Sequence, residues 1–246
     1  MTEKTSKVAI VTGASRGIGA AVAERLATDG FTVIVNYSGD AKPAAALAAK
    51  IDGSGGRALA VKADVGNAAA VQAMFDQAEK TFGGIDILIN NAGIMKLATV
   101  ADSDEAMFDQ QIAVNIKGSF NTMREAARRL REGGRIVNFS TSVVGTRLET
   151  YGVYAATKAA VETITAILSK ELRGRNITVN AVAPGPVATD LFLTGKSPEL
   201  IERMAKMNPM ERLGTPEDIA SVVAFLVGPD GGWINGQVLR ANGGMV

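Results

Sequence analysis

The chain reads as an α/β protein: a doubly wound parallel sheet of about seven strands with helices on both faces. Three observations predict this. Short β-branched runs alternate with longer helical patterns from one end to the other, the signature of repeated βαβ units. Several runs, such as Ile85-Asp86-Ile87-Leu88-Ile89, are almost wholly apolar, as strands covered on both faces must be. The length of 246 residues and the 47% hydrophobic content suit one large core. No long Pro/Gly/Ser linker, internal repeat or low-complexity run divides the chain, so residues 1–246 read as a single domain.

The elements follow in order. A first strand is expected at Val8–Thr12, then a glycine-rich turn and a helix from Gly17. Thr32–Asn36 is the second strand; the helix after it starts near Lys42 and contains Ala44–Ala49, a strong helix former. Ala58–Lys62 and a helix from Asn67 come next, then Ile85–Asn90 and helices from Ser103 and Asn115. Arg135–Phe139 precedes a helix from Tyr151. Ile177–Val182 leads to helical stretches from Pro198 and Pro216, and Gln237–Arg240 closes the sheet. Crossovers in such a sheet are right-handed, and ligands sit beyond the carboxyl ends of its strands.

Composition narrows the function. Lys plus Arg number 26 against 25 Asp plus Glu, a net charge of +1, without the basic surplus of a nucleic-acid binder. The polar stretch Met1–Lys7 lacks a secretion signal, and no apolar run approaches the ~18 residues of a membrane span. The absence of cysteine rules out disulfides and agrees with a reducing compartment. A soluble, cytoplasmic protein is expected.

With neither histidine nor cysteine, the usual zinc ligand sets and the Ser/His and Cys/His nucleophile pairs cannot be built. No metal site is expected. Tyr154 and Lys158 remain as a proton-donating pair. Four residues apart on a helix, they share a face, and the ammonium is expected to pull the phenol below its ordinary pKa of about 10. Of the 3 tyrosines, only Tyr154 has a lysine at that spacing. A Ser142 hydroxyl beside the phenol would orient a carbonyl oxygen between them.

The run Thr12-Gly13-Ala14-Ser15-Arg16-Gly17-Ile18-Gly19 follows the first strand and opens a helix. Gly13 allows a tight turn, Gly17 a close approach to a pyrophosphate and Gly19 close helix–strand packing, while the helix N-terminus attracts negative charge. At the tip of the second strand stand Asn36, Tyr37 and Ser38, with no carboxylate before Asp40. An acid there would hold the ribose 2′-hydroxyl of NAD(H). Its absence favours NADP(H), whose 2′-phosphate Arg16 would meet, and leaves NAD(H) as the alternative.

The glycine loop, Asn90-Asn91-Ala92-Gly93, Asp64-Val65, Asn115, Ser142, Tyr154 with Lys158, and Pro184-Gly185 together resemble the short-chain dehydrogenase/reductases, from Lys7 to about Gly244. The segment Gly214-Thr215-Pro216-Glu217-Asp218-Ile219-Ala220 resembles the 3-oxoacyl-(acyl-carrier-protein) reductase-like branch. The resemblance implies a Rossmann-type fold and hydride transfer between a nicotinamide and a carbonyl carbon, with Tyr154 as the acid. Lys158 would lower the tyrosine pKa and bind the nicotinamide ribose. Ser142, twelve positions upstream of Tyr154, would orient the carbonyl, with Ser140 as rival. Asn115 would kink a helix and hold a water. Asp64 and Val65 would hold the adenine, Asn91, Ala92 and Gly93 would line the cofactor channel, and Val187 and Thr189 would meet the carboxamide. Ala241-Asn242-Gly243-Gly244 departs from the family's common Asp-Gly-Gly, a change read as neutral for the chemistry.

The substrate is expected to be a small carbonyl compound, a ketone or an acyl thioester on an acyl-carrier protein. Val143–Tyr151, with Arg147 and Glu149, and residues 186–212 would face it. The latter segment carries Leu191, Phe192, Leu193, Met204, Met207 and Met210, either a mobile apolar lid or ordinary packing. Arg124, Arg128, Arg129, Arg131 and Arg135 form a solvated helix end or a dock for an acidic carrier protein. A homotetramer is implied by the resemblance, through helices near Asn115–Leu130 and Tyr154–Leu172, although Val161, Ile164, Ile167 and Leu168 would serve equally as internal core.

Overall fold

The computed structural model describes residues 6–246, so Met1–Thr5 of the polar N-terminal stretch lie outside the described residues. Seven parallel strands form one sheet in the order β3-β2-β1-β4-β5-β6-β7. They are β1 (Val8–Val11), β2 (Thr32–Tyr37), β3 (Arg57–Lys62), β4 (Ile85–Asn90), β5 (Leu130–Phe139), β6 (Thr178–Pro184) and β7 (Val238–Ala241). The order reverses direction between β1 and β4, which is where a doubly wound sheet opens a ligand crevice.

Strand residues alternate between two cores, because successive side chains point to opposite faces. Ala9, Val11, Val33, Val35, Ile87 and Ile89 pack on one face against α1 (Gly17–Thr28), α2 (Ala41–Gly53) and α10 (Pro216–Val227). Val8, Ile10, Ile34, Leu88 and Ile136 pack on the other face against α3 (Ala68–Phe82), α5 (Ser119–Arg129) and α7 (Gly152–Glu171). The carboxylate inside β4 is satisfied as a buried charge must be: Asp86 accepts the Val8 N–H at 2.7 Å and pairs with Arg131 at 3.4 Å.

Beyond shifts of one or two residues at element ends, three features differ from the sequence reading. β5 begins at Leu130 rather than Arg135, because Leu130 pairs with Ile85 ahead of an irregularity that two glycines accommodate. The helices expected from Ser103 and Asn115 are one continuous rod: α4 (Glu105–Gln111), a π-helical segment Ile112–Gly118, then α5. Between α5 and β6 lies a short α6 (Val143–Thr146) ahead of α7, and the segment after β6 holds α8 (Asp190–Leu193) and α9 (Pro198–Ala205). Among the described residues, no helix is long and apolar enough to cross a membrane.

Candidate active site

The carboxyl ends of β1, β4, β5 and β6 meet around one cleft, and each end contributes a different kind of group. After β1 the chain turns at Gly13, where φ is +60° and a Cβ would lie only 2.9 Å from the Ala92 Cα, so there is no room for a side chain. The Gly13 N–H donates to Asn36 Oδ1 at 3.2 Å. Arg16, extended and exposed, then opens α1 without any side-chain cap, so the first-turn amides are left for an outside acceptor. Ser15, Gly17 and Ile18 are half-buried beside it and Gly19 is buried.

The tip of β2 needs one correction. Asn36 is buried and spends its side chain inside the protein: Oδ1 holds Gly13, and Nδ2 donates to the carbonyls of Val61 at 3.3 Å and Ala63 at 3.0 Å. It braces the glycine loop instead of facing the cofactor. Tyr37 is half-buried and Ser38 exposed, as a cofactor contact requires. Asp40 caps α2 by accepting the Lys42 N–H at 3.0 Å, so its carboxylate is spent on the helix.

Beyond β3, Asp64 is exposed, accepts the Gly66 N–H at 2.9 Å, and lines a shallow polar hollow with Asn67 and Lys117. Val65 is buried beneath it. After β4, Asn91 donates to the carbonyls of Thr12 at 2.9 Å and Gly13 at 3.1 Å, tying β4 to the glycine loop. Asn115 sits in the π-helical segment, fully buried. It accepts the Ile94 N–H at 2.9 Å and donates to the Ile94 carbonyl at 2.9 Å and to Thr157 at 3.2 Å. The wide π turn directs the side chain at the Gly93–Ile94 strand end, a placement typical of functional sites. Asn115 Oδ1 and Lys158 Nζ each lie 3.4 Å from where a Cβ at Gly93 would stand. Both therefore border one small space that a side chain at Gly93 would fill.

On the opposite wall, Ser142, Tyr154 and Lys158 line one pocket with Asn91, Gly93, Pro184, Gly185, Val187 and Thr189. Thr189 approaches Gly17 across the cleft, its methyl 3.5 Å from a Cβ there. Ser142 donates to the Ala183 carbonyl at 3.2 Å. The rival Ser140 donates to Glu162, which leaves Ser142 as the better placed hydroxyl. Lys158 Nζ donates to the Phe139 carbonyl at 2.9 Å and lies 5.8 Å from the centre of the Tyr154 ring. Burial holds Lys158 down at about 8.

Burial also acts on Tyr154, in the direction opposite to the one expected. Desolvation pushes the phenol up to about 12; the Thr141 hydroxyl draws it back only in part, and the Tyr151 ring, 6.4 Å away edge-on, adds to the rise. In this arrangement desolvation sets the direction of the shift, opposite to the lowering expected from Lys158.

The substrate end is apolar. Val143, Thr146, Leu148 and Tyr151 come from one side and Leu191, Phe192 and Met204 from the other. Arg147 and Glu149 are exposed and stand outside the pocket lining. Leu193, Met207 and Met210 also stand outside it. Most of the arginine cluster is engaged with acids: Arg129 with Asp76 and Glu79, Arg124 and Arg128 with Glu125, Arg131 with Asp86. Arg135 donates to the Gly133 and Gly134 carbonyls at 2.8 Å. The cluster thus has the character of a braced helix end.

Sequence reasoning missed Thr141, Met245 and Asn242 at this site. Asn242 is buried and donates to Ser142, so the Ala241–Gly244 departure lies in contact with the expected carbonyl-orienting serine. Its position just past β7, at the carboxyl edge of the sheet, was the available signal.

A family model described as enoyl-(acyl carrier protein) reductase matches residues 13–246. A short-chain type dehydrogenase/reductase of Picea abies is 48% identical, over 98% of this chain and 92% of the relative. The chain belongs to the short-chain dehydrogenase/reductases. Within that family, an NADPH-dependent aldehyde reductase-like chloroplastic protein of Arabidopsis thaliana is 45% identical, over 98% of this chain and 94% of its own. A crystal structure of a short-chain dehydrogenase from Burkholderia cenocepacia in complex with NADP superposes with a TM-score of 0.92 at 39% identity, covering 99% of both chains.

Proposed function

We propose that the protein is an NADPH-dependent oxidoreductase that reduces a ketone or 3-oxoacyl-type carbonyl to a secondary alcohol. One observation carries this reading: Tyr154, Lys158 and Ser142 border the same pocket as the Gly93 and Thr189 ends of the cofactor cleft. Relatives named for NADPH and a neighbour solved with NADP support the cofactor choice. The uncapped α1 N-terminus, the exposed Arg16 and the absence of a free carboxylate at Tyr37-Ser38 fit a 2′-phosphorylated dinucleotide. When bound, NADPH supplies the hydride.

The protein's own residues do the rest. Ser142 donates to the carbonyl oxygen and helps carry the charge that develops there. Tyr154, protonated throughout the neutral range, delivers its proton to that oxygen. A pKa near 12 does not prevent this, because an alkoxide is a far stronger base than a phenolate. A charged Lys158, 5.8 Å from the ring, favours the phenolate left behind. Asn115 holds the Gly93–Ile94 segment beside Lys158. The apolar lining excludes water and favours an apolar body on the substrate, and residues 186–212 form its lid. Phe120 and Ile167, exposed on α5 and α7, support pairing of these helices in a homotetramer. Val161 and Leu168 of the same stripe are internal core.

The test is NADPH and NADH oxidation with a panel of ketones, aldehydes, β-ketoesters and acyl thioesters. Turnover of ketones or 3-oxoacyl compounds with NADPH preferred is the expected result. No turnover of any carbonyl, with the cofactor bound, would refute the reading.

A further inference from the structure

Asn242, immediately after β7, has every hydrogen-bonding position of its amide engaged. Oδ1 accepts the N–H groups of Gly244 at 3.0 Å and Met245 at 3.2 Å. Nδ2 donates to the Val246 carbonyl at 3.2 Å and to Ser142 Oγ at 2.9 Å. Two backbone donors converging on Oδ1 fix the orientation of the amide, since the flipped form would set NH2 against N–H. The nitrogen must then face Ser142, and Ser142 Oγ must accept from it.

That contact settles which way the serine hydrogen points. With one lone pair taken by Asn242, the hydroxyl proton is directed elsewhere, to the Ala183 carbonyl at 3.2 Å. This is long for an O–H···O bond, which is ordinarily near 2.7–2.8 Å, so the proton is weakly held and can turn to an oxygen in the pocket. A carboxylate at position 242, as in the family's common Asp-Gly-Gly, would offer Ser142 an acceptor in place of this donor. The main chain maintains the contact. Ser142 N donates to the Pro184 carbonyl at 2.9 Å and Gly185 N to the Ala241 carbonyl at 3.0 Å. A Cβ at Gly185 would lie 2.9 Å from the Asn242 Cβ, so glycine there lets the β6 and β7 ends close together.

We propose that Asn242 is a positioning residue: by donating to Ser142 it keeps that hydroxyl a donor toward the substrate carbonyl. The proposal rests on the reading of Ser142 as the carbonyl-holding group. Asn242 stands outside the pocket lining and reaches the carbonyl through the serine, while its Oδ1 contacts hold the Gly244–Met245 turn.

A double-mutant cycle tests it, using the full chain and the best carbonyl substrate of the panel above. Wild type, N242D, S142A and S142A/N242D are compared in kcat, KM and NADPH affinity, the last by nucleotide fluorescence. N242D is nearly isosteric and keeps the Oδ1 contacts. It loses the Nδ2 bonds to Ser142 and Val246 and is expected to lower kcat by about tenfold, within the roughly 100-fold lost with a whole oxyanion donor in S142A, and to leave NADPH affinity within about twofold. In the S142A background N242D should change kcat by less than about threefold, because the two groups form one unit. N242A, which removes the donor without adding charge, should cost about fivefold in the presence of Ser142 and nothing measurable without it. This variant carries the cycle should N242D fail to bind NADPH. Equal losses in both backgrounds would overturn the positioning role and leave Ser142's role intact. Full activity of S142A would overturn the Ser142 reading and this proposal with it.

Discussion

On the β1–β2 side of the cleft, what faces the ligand space is largely main chain: the glycine turn and the uncapped first turn of α1. Two polar side chains of that wall are spent on the protein itself, Asn36 beneath the loop and Asp40 on α2, while Arg16 and Ser38 stay exposed. On the β5–β7 side the order is inverted. There the groups proposed to do the chemistry are the side chains of Ser142, Tyr154 and Lys158, which line one pocket, and the main chain holds them. Binding by amides depends on backbone shape and tolerates many residue types. Proton transfer depends on particular atoms and tolerates almost none.

Mutations should separate the two walls, and the largest effect belongs to the side-chain wall. Tyr154→Phe removes the proposed proton donor and is expected to lower kcat by about 1,000-fold with NADPH affinity nearly unchanged; steady-state kinetics beside a nucleotide titration would show it. Gly13→Ala strikes the other wall, forcing a Cβ to 2.9 Å from Ala92 at a φ of +60°. NADPH affinity should weaken by about 100-fold, since an anion site made of amides is lost when the turn reopens. A variant that bound NADPH normally would show that the backbone wall is not the cofactor wall.

The third expectation concerns pH. Lys158 titrates near 8 through burial, so its ammonium predominates below that pH and is lost above it. Reductive kcat/KM should be level below about pH 8 and then fall by up to about tenfold per unit, as an essential protonated group requires. Lys158→Met should be slow at all pH values and lack that limb. The smallest effect is expected at Ser38→Asp, where a carboxylate would repel a 2′-phosphate. The NADPH-to-NADH preference should drop by about tenfold, measured as the ratio of kcat/KM values.

The sheet was legible because buried parallel strands are written as apolar runs, and Ile85–Ile89 or Val33–Val35 admit little else. The pair Tyr154 and Lys158 was legible because helical spacing places them on one face. Other features depend on distance in the fold rather than along the chain. Ser142 and Asn242 are a hundred residues apart and meet only because β5, β6 and β7 end together. The direction of the Tyr154 shift was misjudged for a similar reason: spacing reveals a neighbouring charge, but not how much water has been removed from around the phenol. The Asn36 side chain was misplaced because nothing local distinguishes a strand-tip amide that faces outward from one that braces the loop behind it.

The π-helical turn at Ile112–Gly118 means that the rod from Glu105 to Arg129 winds out of phase with itself. Each i to i+5 turn absorbs one surplus residue. Deleting a single residue there would let the rod coil regularly, with its two halves keeping their facing and the widened turn lost. Asn115 would then lose its aim at Ile94 while every side chain of the proposed catalytic trio kept its identity. Here the aim of a functional group is stored as arithmetic, in the number of residues between two fixed ends.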